Sequence, residues 1–226
     1  FSIMDLSLRN RKVFVSGSSR GIGLCIARKF IDEGADVVIN SRDPDELNAA
    51  AISLGSCNSI AGNLSNPEEA LATIAKAAEI LGGIDIVVCN VGSGSSVPPG
   101  HETYYEWRRV FDVNFFSATN LIEASREYLG KSRGSIVCIS SICGIETIPG
   151  APVTYSVAKS ALNTYVKSMS VPLALEGIRI NSVAPGNIYF EGSVWSKKIA
   201  QDPDSVKEML EINVPLREFG SPDDVA

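Results

Sequence analysis

Six short strand-like runs, five of them rich in Val and Ile and the third weak, alternate along this chain with stretches of helical apolar period. That alternation constrains the fold more than any other feature. The runs are 12–16 (KVFVS), 36–40 (DVVIN), 58–61, 85–90 (DIVVCN), 135–140 (SIVCIS) and 178–184 (IRINSVA). The spacing predicts helices over 22–30, 44–54, 67–81, 103–129 and 154–176 between them. Gly34, Gly82-Gly83 and Gly177 close three of these, while Pro44 and Asn66-Pro67 open two. Strands of this kind between helices imply βαβ units and a parallel sheet buried on both faces, the α/β class. Right-handed crossovers then make an open, doubly wound sheet with helices on both sides. The 226 residues, 45% hydrophobic and 20% charged, suffice to bury a core without disulfides or a structural metal. No repeat divides them, and the loop 92–100 (GSGSSVPPG) is short enough to lie inside one domain spanning 1–226.

Charge and cysteine usage exclude several functions. Twenty Lys and Arg against 26 Asp and Glu give a net charge of −6, so nothing draws the chain to nucleic acid or an anionic membrane. No run of 18 apolar residues is present, and the first residues lack the apolar core of a signal peptide. The five cysteines (Cys25, Cys57, Cys89, Cys138, Cys143) form no Cys-x-x-Cys pair, and His101 is the one histidine, so no metal site is expected. Reduced thiols fit a cytoplasmic protein, and Cys89 and Cys138, inside apolar runs, read as core residues.

The residues between the first strand and first helix read SGSSRGIG, with Gly17, Gly21 and Gly23. Glycines there let a backbone approach a pyrophosphate, and the helix start supplies free N–H groups. The spacing differs from Gly-x-Gly-x-x-Gly, so a turn needed only for packing is the competing reading. An acid at the end of the second strand would bind ribose hydroxyls and favour NAD. Here stand Asn40, Ser41 and Arg42 instead, so Arg42, joined by Arg20, is expected to fork onto a 2′-phosphate and favour NADP. The acidic group Asp43, Asp45 and Glu46 reads as a solvated helix start favoured by the macrodipole.

Tyr155 and Lys159 stand four apart on the helix after the fifth strand and share a face. An ordinary phenol titrates near 10, too high for a base at neutral pH, and a nearby ammonium favours its ionised form. Ser140-Ser141 ends the fifth strand, where open α/β sheets bind ligands, so Ser141 is placed to hydrogen-bond a substrate oxygen beside the tyrosine.

At this point the sequence resembles the short-chain dehydrogenase/reductase family over almost its whole length. The glycine motif matches SGSSRGIG; Asn90-Val91-Gly92 matches Asn-Ala-Gly with one change; Asn114 falls in FDVNFF; Ser141 precedes Gly144; Tyr155 and Lys159 lie in YSVAKSAL; Pro185-Gly186 follows the sixth strand. The resemblance implies a Rossmann-type fold and a hydride exchanged between NADP(H) and a carbonyl or secondary alcohol, with a ketone or 3-oxoacyl group reduced. Tyr155 would donate the proton, Ser141 orient the oxygen, Lys159 hold the nicotinamide ribose, and Asn114 hold a water that relays protons to Lys159. Carried over as cofactor-binding are Gly17, Ser19, Arg20, Gly21, Ile22, Gly23, Ser41, Arg42, Asn63, Leu64, Asn90, Gly92, Tyr155, Lys159, Pro185, Gly186 and Ile188. The family normally forms homotetramers or dimers.

The departures from the family pattern are specific. Asn63-Leu64 replaces an Asp-led pair, Phe190 stands where many members have Thr, and Pro172 interrupts the long helix and is expected to kink it. The closing PLREFGSPDDVA resembles the segment before the family's last helix and seventh strand, so that strand is expected to be missing. Residues 188–214 are read as a substrate lid, with Tyr189, Phe190, Val194 and Trp195 either lining a pocket or covering the core. Two alternatives stand beside the reductase. Ser41 and Arg42 count against an NAD-dependent alcohol dehydrogenase. The set Asn114, Ser141, Tyr155 and Lys159 counts against a non-catalytic nucleotide-binding regulator.

Overall fold

The computed structural model describes residues 5–226. In chain order it contains β1 (Lys12–Val15), α1 (Gly21–Asp32), β2 (Asp36–Ser41), α2 (Pro44–Ser53), β3 (Asn58–Ala61), α3 (Pro67–Leu81) and β4 (Ile86–Cys89). There follow α4 (Tyr104–Phe111), α5 (Ser117–Ser132), β5 (Ser135–Ile139), α6 (Val153–Leu175), β6 (Arg179–Val183), α7 (Val194–Gln201) and α8 (Pro203–Asn213). All the strand pairs are parallel, in the order β3-β2-β1-β4-β5-β6. The order reverses beside β1, so the ends of β1 and β4 frame the crevice where such sheets bind ligands.

Successive side chains of a strand point to opposite faces, and both faces here are apolar. Val13, Val15, Val37 and Ile39 pack under α1 and α2 with Ile26, Ala27, Leu47 and Ala50. Phe14, Val38, Val87, Ile136 and Cys138 pack on the other face with Ile74 of α3, Leu121 of α5 and Leu162 of α6. Burying each large apolar side chain is worth about 1.5–3 kcal/mol, which is why these runs become central strands. Cys89 and Cys138 are register partners in this core.

Helix boundaries follow local chemistry. Asp43, Asn66, Thr103, Ser193 and Asp202 each cap a helix start through their own side chains. Gly82 ends α3 in the left-handed conformation at φ 70°. One expectation is refined. The stretch read as a helix over 103–129 is helical without a break, but a π turn over Asp112–Phe116 divides it into α4 and α5. The segment 188–214 carries α7 and α8. Pro172 lies inside α6, which nevertheless runs on to Leu175. The carbonyl that proline cannot serve belongs to Ser168, which is exposed and open to water. Among the described residues no helix is long and apolar enough to cross a membrane.

Candidate active site

The turn from β1 to α1 is bolted to two neighbouring strands. Ser18 Oγ donates to Val15 O at 2.7 Å and accepts from Asn40 N at 3.0 Å. Asn90 Nδ2 donates to the carbonyls of Ser16 at 3.1 Å and Gly17 at 2.8 Å. A Cβ on Gly23 would fall 2.4 Å from both Gly17 O and Asn90 Nδ2, so that position admits only glycine. The start of α1 has no side-chain cap, so its first N–H groups have no side-chain partner, although the Phe190 ring lies over Gly21 beside them. Asn40, absent from the sequence-derived set, is buried and ties β2 to β3 by donating to Ile60 O at 3.0 Å and Gly62 O at 3.2 Å.

Not every expected contact at this end is free. Arg20 is paired with Glu46 of α2 at 3.5 Å, and Ser19 Oγ donates to the same carboxylate at 3.3 Å. Arg42 is exposed and has no ion-pair partner among the described residues. Ser41 Oγ accepts from Asp43 N at 3.2 Å. Asn63 Oδ1 accepts from Ser65 N at 3.2 Å, which uses one of its two lone pairs. The Leu64 side chain is buried in the core, which leaves only its backbone for a ligand. Ile22 packs against the core beneath α1.

The end of β5 and the first turns of α6 hold the reactive groups. Ser141 starts a tight 3-10 turn, Ile142–Gly144, whose approach to α6 needs glycine: a Cβ on Gly144 would meet Lys159 C at 2.6 Å. Ile142 N donates to Pro185 O at 3.0 Å, which docks the Pro185-Gly186 turn beside it. Ile188, farther along, pairs with Gly220 in an isolated parallel bridge. Lys159 is buried, and its Nζ donates to Ile139 O at 2.8 Å. A Cβ on Gly92 would stand 3.1 Å from both Lys159 Nζ and Asn114 Oδ1, so the end of β4, the π turn and α6 converge there. Burial pulls the Lys159 amine from its ordinary 10.5 down to about 8.

Tyr155 departs from expectation. Burial pushes its phenol above the usual 10, against a smaller opposing effect from the Ser141 hydroxyl. Lys159 is not among the groups that lower it: the ammonium lies 6.0 Å from the ring centroid and gives one of its three N–H bonds to Ile139 O, which leaves two donors. Asn114 has a structural role that its sequence does not announce. Its Oδ1 accepts from Ser93 N at 2.9 Å, and its Nδ2 donates to Ser93 O at 3.1 Å and Val110 O at 3.0 Å. The amide therefore braces the loop after β4.

That loop is pinned a second time. Ser96 Oγ lies 2.7 Å from Glu106 Oε1 and 2.6 Å from Thr154 Oγ1, and Arg109 donates to Ser95 O at 2.9 Å. Hydrogen bonds from Arg109 and Ser96 hold the Glu106 carboxyl down at about 2, so it only accepts. Ser96 must then donate to Glu106, and Thr154 must donate to Ser96. Between the two pins, Gly94 faces Tyr155 and Val194: a Cβ there would lie 4.0 Å from Tyr155 Cζ and 4.0 Å from Val194 Cγ2. Of the apolar residues considered for the pocket, Val194 therefore faces the tyrosine. Tyr189 and Trp195 stack on Phe219 at 5.9 and 5.2 Å, and Phe190 lies over Gly21. His101 is exposed, as expected.

A family model described as enoyl-(acyl carrier protein) reductase matches residues 17–226. Dehydrogenase/reductase SDR family member 4 of Homo sapiens is 33% identical, over 97% of this chain and 79% of its own length. The chain belongs to the short-chain dehydrogenase/reductase family. L-fucose dehydrogenase of Mus musculus is 31% identical over 95% of the chain and 78% of its own. L-sorbose reductase from Gluconobacter frateurii, solved with NADPH and L-sorbose, superposes with a TM-score of 0.90 at 27% identity. That match covers 98% of this chain and 89% of the reductase. As a short-chain dehydrogenase/reductase, the chain is an oxidoreductase of a family that binds a nicotinamide cofactor.

Proposed function

We propose that this chain is an NADP(H)-dependent reductase of a ketone or 3-oxoacyl group. The observation that carries the reading is the convergence of Ser141, Tyr155 and Lys159 beside the crevice formed by β1 and β4. The residues fit a nicotinamide dinucleotide: an uncapped helix start, a turn with three glycines and a buried amine stand along one crevice. When bound, that cofactor supplies the hydride. Gly17, Gly21, Ile22 and Gly23 offer backbone to the diphosphate, and Asn90 and Gly92 support it from β4. Arg42 offers a free guanidinium at the adenosine end, where no acid terminates β2.

Tyr155 donates its proton to the carbonyl oxygen, and Ser141 orients that oxygen by its hydroxyl. A raised phenol pKa suits a proton donor, since the group stays protonated at neutral pH. Lys159, buried and partly neutralised, holds the nicotinamide ribose hydroxyls. Exposed Tyr104, Tyr105, Val157, Val171 and Leu175 on α4 and α6 support a homo-oligomer.

The test combines binding with turnover. Calorimetry is expected to show NADPH binding tighter than NADH by about tenfold, ~1.4 kcal/mol. Tyr155→Phe is expected to keep NADPH affinity within about twofold while NADPH oxidation with small ketones and 3-oxo thioesters falls at least about 100-fold. Undiminished oxidation in that variant overturns the proton-donor role, and tighter NADH overturns the coenzyme assignment.

A further inference from the structure

We propose that Glu46 is a specificity-determining residue for the coenzyme, a built-in counter-ion that opposes the 2′-phosphate of NADP(H) and spares NAD(H). The proposal rests on the dinucleotide reading above and deepens it.

The position of Glu46 follows from local structure. β2 ends at Ser41, and only Arg42 and Asp43 separate it from α2. Asp43 Oδ1 accepts from both Asp45 N and Glu46 N at 3.0 Å, which fixes the backbone of the first helical turn. The other side of the gap is fixed by Ser18, which joins the glycine turn to the Asn40 backbone. Glu46 thus stands beside the glycine turn and engages Ser19 through one oxygen and Arg20 through the other.

The Arg20–Glu46 pair contributes little to folding. The side chains remain 61% and 48% exposed, and exposed pairs of this kind are largely screened. Its consequence falls on a ligand. A 2′-phosphate that forks onto Arg20 must displace the Glu46 carboxylate or accept it as a neighbouring like charge. A ribose with a free 2′-hydroxyl is neutral and meets no such penalty. Asp43 and Asp45 are adjacent in sequence to Arg42 and Glu46, and Asp43 is engaged in capping α2. Arg42 is the cation left open to a phosphate, and Glu46 sets how far Arg20 can join it.

The experiment is calorimetric binding of NADPH and NADH to wild type, Glu46→Gln, Arg20→Ala and the double variant. Adenosine 2′,5′-bisphosphate and ADP serve as probes of the adenosine end alone. Glu46→Gln is expected to tighten NADPH and the bisphosphate at least about fivefold, leaving NADH and ADP within about twofold. The gain should vanish in the Arg20→Ala background, the signature of a coupled pair. An unchanged NADPH-to-NADH ratio overturns the proposal. So does a loss confined to NADH and ADP, which would make the carboxylate a ribose ligand. Wild type that binds none of the four probes removes the dinucleotide reading itself, and this proposal with it.

Discussion

The ring of Phe190 rests on Gly21. A Cβ on that glycine, which has φ +57°, would fall 2.5 Å from the ring's Cζ and 2.6 Å from Cε2. An aromatic side chain thus covers the start of α1, where the N–H groups carry no cap of their own. A diphosphate reaching those groups must push the ring aside. Phe190→Thr is therefore expected to tighten NADPH and NADH alike, by at least about fivefold in calorimetry, since the diphosphate is common to both. Weaker binding in the variant would show instead that the ring is a contact on the bound dinucleotide. Equal effects on both coenzymes separate this residue from Glu46, whose effect is selective.

Thr154 immediately precedes Tyr155, and α6 begins at Val153, after Pro152, without a side-chain cap. The polarised path Thr154–Ser96–Glu106 therefore holds the first turn of α6 against the loop that crosses it. Thr154→Val keeps the shape and removes the hydroxyl. Amide hydrogen exchange over 93–97 is expected to accelerate at least about tenfold in that variant. Thr154→Ser should restore the wild-type rate, and a serine variant that exchanges like valine would assign the effect to packing.

Lys159 predicts a pH dependence of stability. Its amine releases its proton near pH 8 in the folded chain and near 10.5 when unfolded. Between those values the unfolded chain binds more protons, so this group's contribution rises with pH. It is complete above 10.5 and is lost as the pH falls through 8. Urea unfolding of wild type and Lys159→Met at pH 7 and 9.5 should show the difference moving in favour of wild type at the higher pH. Tyr165, whose phenol burial pushes up to about 12, titrates in both proteins and cancels in the comparison. A difference that does not move with pH would mean that the amine is solvated in the folded chain.

The central strands were readable because β1, β2, β4 and β5 are Val- and Ile-rich runs buried on both faces. In contrast, β3 and β6 bury one residue each and show only through their place between helices. The glycine turn was readable because its spacing straddles a change of period. The π turn was not, since Phe111, Phe115 and Phe116 continue an apolar pattern through it and an inserted residue leaves no composition mark. α7 and α8 carry start signals in Ser193 and in Asp202-Pro203, but each helix is short and its apolar pattern weak. The Glu46–Arg20 pair was out of reach of local patterns. The two residues lie 26 positions apart and meet only because β1 and β2 are neighbours. The same limit hid the second role of Asn114, whose amide partner Ser93 comes from another loop.

β1 is the first strand in the chain, yet it lies inside the sheet, with β2 on one side and β4 on the other. Val13 meets Asp36's neighbour Val37 early, but its other partner, Ile86, lies 73 residues on. At synthesis rates of about 5–20 residues per second, the β4 side of β1 stays open for on the order of 10 s on a translating ribosome. During that interval a half-made sheet of β1, β2 and β3 presents an apolar, unsatisfied edge. The later arrival of β4 closes that edge and, through Asn90, clamps the glycine turn in the same event. The nucleotide crevice is therefore assembled at the moment when the nascent chain ceases to be a template for aggregation.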